Sequence, residues 1–205
     1  TEKQKEEAEV LGNTAVEAEA VITTHLLESL KKNCFRLLDR QETQKIIDKL
    51  KEEKNAVVDG LIPDQISIGA VQKILKNLLK EGIPIRNMIV ILESISDNLN
   101  ISTDPDVLTE YVRTSLADNI ANLFQVKNQA MKVITFSPGL EDKIGQSLKN
   151  EIDSRYNLGL SHEKVNELFT KVKEESENMT KNGEIPIILV SPVIRRFVRR
   201  FLEPV

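Results

Sequence analysis

The sequence contains no tryptophan, and only 4% of its residues are aromatic. Aliphatic side chains must therefore fill any core, which favours packed helices. Cysteine is nearly absent as well. Cys34 stands alone, so an intrachain disulfide and a thiolate metal cluster are both excluded. A reducing compartment fits that usage. His25 and His162 are the only histidines, and neither lies in a metal-binding spacing. The eight glycines are scattered at turns and form no phosphate-cradling loop. No apolar run reaches the roughly 18 residues a membrane-spanning helix needs. The longest, residues 185–190, is strand-sized and contains Pro186. Residues 1–9 are mostly charged and do not read as a signal peptide. The chain starts at Thr rather than Met, and the expectation is of a piece excised from a longer protein.

What is present suits folded protein. The 205 residues are 40% hydrophobic and 29% charged, enough for one large domain or two small ones with true cores. The formal net charge of −4 points to neither nucleic acid nor an anionic membrane as the main partner.

The first half reads as helices. Over residues 16–38, Val21, Ile22, His25, Leu26, Leu30 and Cys34 fall near one helical face. Asp39, three residues before Glu42, is an aspartate variant of the capping box. It opens a second helix bearing Ile46, Ile47 and Leu50. A short segment with Val57, Val58, Leu61 and Ile62 stops at Pro63. Ser67 is expected to cap a helix striped by Val71, Ile74, Leu75, Leu78 and Leu79, with Gly82 as its C-terminal glycine. Pro84 is expected to start the next helix, carrying Met88, Ile89, Leu92, Ile95 and Leu99. Residues 89–92 could also form a strand, but the helical spacing continues to Leu99. Asp104-Pro105 marks another start. The period through Leu108, Tyr111, Val112, Leu116, Ile120 and Leu123 predicts one long helix to about Phe124.

The pattern then changes. Residues 132–136 read as a strand, 140–152 as a helix, 162–181 as a charged helix capped by Ser161, and 185–190 as a second strand. Ser191 is expected to cap a last helix with Pro192 at its first position. The order strand, helix, helix, strand, helix predicts an α/β module. A third strand is expected after Pro204, where the chain stops. The fold class is therefore mostly α: a helical subdomain followed by a small α/β subdomain with its last strand missing. The boundary is expected within residues 125–131.

Reactive groups are sparse. His25 on a mixed helix face reads as structural, and His162 at a helix start reads as a surface residue. Lys31, Lys32 and Arg36 near Cys34 would favour a thiolate. Its place beside Leu30 favours a small core residue instead. Adjacent carboxylates such as Glu52-Glu53 and Glu174-Glu175 lie on solvated helix faces. The sharpest local feature is residues 194–202. Arg195, Arg196, Arg199 and Arg200 form one face; Ile194, Phe197, Val198, Phe201 and Leu202 form the other. Such a helix could contact an anionic membrane or phosphates. Alternatively, it packs its apolar face on the neighbouring sheet, and that reading is favoured because the preceding strand needs cover.

Eight short segments occur in an order that resembles a known family. They are Gly12-Asn-Thr-Ala-Val16, Val21-Ile-Thr-Thr-His-Leu26, Leu38-Asp-Arg-Gln-Glu42, Leu61-Ile-Pro-Asp64, Val71-Gln-Lys-Ile-Leu-Lys-Asn-Leu-Leu79, Ile83-Pro-Ile-Arg-Asn-Met88, Ile91-Leu-Glu93 and Asp104-Pro-Asp-Val-Leu-Thr-Glu-Tyr-Val-Arg113. Together they resemble the cytoplasmic domain of the flagellar export-gate family and its virulence type III secretion relatives. Residues 186–202 fit the same family. The Leu-Ile-Pro-Asp and Asp-Arg-Gln-Glu forms look flagellar; a virulence-type export gate is the alternative.

The resemblance implies three parts. Residues 1–39 would end the upstream chaperone-binding subdomains, 40–124 would form a helical ring-building subdomain, and 125–205 a truncated α/β subdomain. It implies a protein anchored to the inner membrane by an N-terminal segment absent from this chain, facing the cytoplasm and assembled as a nonameric ring. The implied partners are export chaperones with their cargo, other export-apparatus subunits and the ATPase complex. Export in that family is driven by proton motive force, so no catalysis, metal or cofactor is expected. Val16, Val21 and Thr24 match the family's chaperone-binding depression, whose upstream half is absent here. Two rival readings remain: a membrane-surface or nucleic-acid binder using the arginine helix, and a small helical enzyme built on His25, Cys34 and a carboxylate.

Overall fold

The computed structural model describes residues 10–11, 16–124, 130–150 and 160–203. The chain divides into two compact units, residues 1–120 and 121–205. The boundary expected at 125–131 lies mostly outside the described residues.

The first unit is helical: α1 (Ala18–Leu37), α2 (Arg40–Glu53), α3 (Asn55–Val58), α4 (Ile68–Lys80), α5 (Met88–Asn98), α6 (Pro105–Ser115) and the start of α7 (Ala117–Phe124). Local chemistry sets most of the boundaries. The Asp39 carboxylate accepts the backbone N–H of Glu42 at 2.8 Å, Ser67 Oγ that of Ala70 at 3.2 Å, and Asp104 that of Asp106 at 2.9 Å. Each satisfies an orphan donor of a first turn. Gly82 takes a left-handed φ of 71°, letting Ile83 N–H reach back to the Leu78 carbonyl at 3.0 Å and close α4.

The core of this unit sits between α4, α5 and α6. Val71, Ile74, Leu75 and Leu78 of α4 are buried, as are Ile91, Leu92 and Ile95 of α5 and Leu108 and Val112 of α6. Residues 89–92 are thus helical, and the strand alternative is not realised. Two polar contacts fix how α4 meets α6: Asn77 donates to Asp106 at 2.8 Å and to Thr109 at 3.1 Å.

Two expected boundaries are corrected. Pro84 does not start α5, which begins at Met88. Ile83 and Ile85 turn into the core while Pro84 and Arg86 stay exposed, an alternation of extended chain. The long helix expected to Phe124 breaks at Leu116. Thr114 Oγ1 donates to the Glu110 carbonyl at 3.0 Å and Ser115 Oγ to Ser94 Oγ at 3.0 Å. The first returns to the α6 backbone and the second ties the end of α6 to α5. Leu116 remains buried and Ile120 packs on the same core, so the apolar period runs through the break.

The second unit runs β1 (Ile134–Thr135), α8 (Pro138–Asn150), α9 (His162–Lys181), β2 (Ile188–Leu189) and α10 (Pro192–Leu202). The strands pair in parallel, Ile134 with Ile188 and Thr135 with Leu189. The structure is mostly α, with a small α/β unit in the expected order. Both strands are shorter than expected, two residues each. Ile144, Val172, Ile194 and Val198 form the core. The Phe169 and Phe201 rings meet edge-on at 6.2 Å between centroids.

Candidate docking surface

Helix α1 is twenty residues long and has no fully buried side chain. Its C-terminal half has partners. Cys34 and Phe35 are half-buried, Lys80 Nζ of α4 lies 5.4 Å from the Phe35 ring centroid, and Gln72 donates to the Leu38 carbonyl at 2.9 Å. Its N-terminal half is open to solvent. Every side chain from residue 16 to 28 is exposed.

The apolar residues of this helix end face solvent. Val16 is 60% exposed, Val21 53%, Ile22 67% and Leu26 57%. Ile22, Leu26 and Leu30 recur at four-residue spacing and stack on one side of the helix. Val21 and Thr24, three apart, lie beside each other on another side, with His25 and Leu27 between the two strips. The three residues singled out from the sequence, Val16, Val21 and Thr24, are brought to one solvent-facing helix end. Sequence reasoning passed over Leu27 and Leu37, 52% and 65% exposed, because they fall off the expected face. A helix apolar on several sides buries them against something when it is part of a stable assembly.

Within α1, Lys31 pairs with Glu28 at 2.8 Å and Asn33 donates to the Ser29 carbonyl at 2.9 Å. His162 is exposed at the first turn of α9. Among the described residues, no group of three His, Cys, Asp or Glu side chains could hold a metal ion, and no helix is long and apolar enough to cross a membrane.

In the second unit, α10 packs against α8. Ile194, Val198 and Leu202 are buried and Phe197 and Phe201 partly so. The arginines lie opposite, Arg195 and Arg196 half-buried, Arg199 and Arg200 exposed. The Arg196 guanidinium stacks over Phe197 at 4.6 Å. Ser191 is at the N-cap position, but its hydroxyl makes no capping bond. Its backbone N–H donates instead to Glu141 Oε1 of α8 at 3.1 Å.

An aliphatic helical unit followed by a small parallel α/β unit is a fold shared with cytoplasmic domains of type III export-gate proteins. Chlamydia pneumoniae CdsV, solved in complex with the CdsO protein, is 27% identical, with a TM-score of 0.77 over 99% of this chain and 59% of that one. The nonameric EscV cytosolic domain of a type III secretion system is 24% identical, with a TM-score of 0.72 over 89% of this chain and 53% of that one, a likeness of fold. The flagellar biosynthesis protein FlhA of Bacillus subtilis is 36% identical over 203 residues, 99% of this chain and 30% of the relative. The FHIPEP family model matches residues 1–205, and the chain belongs to that family, a component of protein export gates. It spans about 30% of the length of such relatives.

Proposed function

We propose that this chain is the distal cytoplasmic part of a flagellar export gate, and that it works by docking export chaperones with their cargo. The carrying observation is the α1 end, where Val21 and Thr24 share one exposed side and Val16, Ile22, Leu26 and Leu27 are exposed as well. An amphipathic chaperone segment would lay its apolar residues on this end, and the Thr24 hydroxyl would fix its register. The flagellar reading rests on the similarity to FlhA proteins. The parent would sit at the cytoplasmic face of the inner membrane, held by a segment outside this chain. Residues 1–39 then complete a chaperone-binding region and 40–124 build a ring, a reading the nonameric relative supports. The CdsV–CdsO complex supports contacts with a further protein, and we extend this reading to other export-apparatus subunits and the ATPase complex.

Recognition of this kind needs rigid apolar surface and no reactive centre. The test is titration calorimetry of the longer parent with its chaperones. Thr24→Met in that parent is expected to abolish chaperone binding while leaving its circular dichroism and melting unchanged. Undiminished affinity would sink the site assignment.

A further inference from the structure

Helices α1 and α4 meet at a ring flanked by two cations. The Arg36 guanidinium lies 5.7 Å and Lys80 Nζ 5.4 Å from the centroid of the half-buried Phe35. Further cations surround the pair. Lys31 and Lys32 stand one turn before Phe35 on α1, and Lys76 stands one turn before Lys80 on the side of α4 whose Gln72 reaches Leu38. Counting Lys73, residues 29–38 and helix α4 hold six cations and no carboxylate. The rest of the chain then carries −10 against −4 for the whole. Each acid at the margin already has a partner: Glu28 holds Lys31 at 2.8 Å, Asp106 holds Lys73 at 3.3 Å, Asp39 caps α2 and Glu81 pairs with Arg113. A cation in a helix's last turn complements the helix dipole, which accounts for Arg36 and Lys80. It does not account for Lys31, Lys32 and Lys76.

The cluster continues the docking side of α1. Val21, Thr24, Glu28, the Lys31-Lys32 pair and Phe35 recur at three- and four-residue spacing. The side that shows Val21 and Thr24 to solvent therefore runs on into the cations. Phe35 stands about 16 Å along the helix axis from Thr24. A polypeptide lying along this side would leave the aliphatic end and meet positive charge within about five extended residues. Nucleic acid would use the cations but not the aliphatic end, and it would face the −10 of the rest. An anionic membrane would face that same charge.

We propose that the segment docked on α1 carries a run of aspartates or glutamates beyond its apolar anchor, and that Lys31, Lys32, Arg36, Lys76 and Lys80 receive that run around Phe35. On the docking reading of the α1 end, on which this rests, the partner acquires a charge and a direction. Its apolar residues lie over Val21 and Thr24, and its acidic residues point toward the C-terminal end of the helix. Carboxylates seated there would relieve the repulsion among cations gathered at one ring.

Fluorescence anisotropy on the 205-residue chain tests the cations apart from the apolar end. A labelled glutamate-rich peptide is expected to bind at low salt, and its glutamine counterpart is not. Raising ionic strength tenfold shortens the screening length about threefold and should weaken binding at least about tenfold. Lys32→Glu with Arg36→Glu should also weaken it at least about tenfold, and Lys32→Gln with Arg36→Gln by less. Both side chains are exposed, and circular dichroism would verify folding. Arg199→Glu with Arg200→Glu on α10 changes the net charge equally and should leave affinity within about twofold. In the longer parent, the α1 reversal should weaken chaperone binding and flatten its salt dependence, whereas Thr24→Met removes binding at every ionic strength. A glutamate peptide that does not bind, binding that survives the α1 reversal or falls equally with the α10 reversal, or chaperone affinity that the α1 reversal leaves unchanged overturns the proposal. In each of these cases Thr24→Met still judges the docking reading on its own. Tighter binding of duplex DNA or phosphatidylserine vesicles through the same cations, or self-association that the α1 reversal abolishes, also overturns it and gives the face to that occupant.

Discussion

Ser191 donates its backbone N–H to Glu141 Oε1 of α8 at 3.1 Å, while its own hydroxyl makes no capping bond at the start of α10. The carboxylate satisfies an orphan donor and places negative charge at a helix N-terminus. Removing it should therefore cost more than removing the hydroxyl. Glu141→Ala is expected to destabilise the second unit by about 1–2 kcal/mol, and Ser191→Ala by under about 0.5 kcal/mol. Urea unfolding followed by circular dichroism compares them. A larger loss for Ser191→Ala would contradict this geometry.

The same contact shows what a sequence conceals. The caps at Asp39, Ser67 and Asp104 were legible because donor and acceptor lie within three residues of each other. Glu141 and Ser191 are fifty residues apart, and no local spacing connects them. The α4 stripe was legible because its period of burial is the helix's own. The break at Leu116 was not, because the apolar period runs through it. The exposure of the α1 face was not legible for a related reason. Periodicity says which residues share a side; it does not say whether anything covers that side.

Gly145 and Gly183 should respond to alanine with opposite signs. Gly145 lies inside α8, and a Cβ there would stand 3.9 Å from Ile194, an ordinary contact. Alanine also restricts the unfolded chain and favours helix, so Gly145→Ala should stabilise by about 0.5–1 kcal/mol. Gly183 ends α9 at φ 73°. Gly183→Ala should destabilise by about 1–2 kcal/mol even though nothing crowds the site. Thermal melts of the two variants read the difference directly.

Lys51 Nζ lies 2.8 Å from Asp59 Oδ1. Chiefly through that hydrogen bond, Asp59 is held below its ordinary 3.8 and Lys51 above its ordinary 10.5. A lowered carboxyl adds stability above its ordinary value and loses it as pH falls through the folded value. A raised ammonium adds stability below its ordinary value and loses it as pH rises through the folded one. The pair is therefore intact across the neutral range and fails at both extremes. Both groups are exposed, so the effect on melting is small and carboxyl NMR titration is the better probe. Asp59 should titrate below the ordinary value, and Lys51→Met should move its midpoint upward. An unmoved midpoint would separate the pair from the shift.

Leu75 and Leu26 are both helical leucines, yet they should answer to different measurements. Leu75 is fully buried among α4, α5 and α6, and Leu75→Ala is expected to cost about 2–5 kcal/mol through lost burial and the cavity left behind. Leu26 is 57% exposed. Leu26→Ser with Ile22→Ser should leave the unfolding free energy within about 0.5 kcal/mol of its original value, because little is packed there to lose. The same pair should reduce binding of a hydrophobic dye, since uncovered aliphatic surface is what the dye reports. In the longer parent, the two serines should weaken chaperone affinity without altering the melt. A fall in stability there comparable to that of Leu75→Ala would mean that the α1 end is core in the parent, and the docking reading would fail.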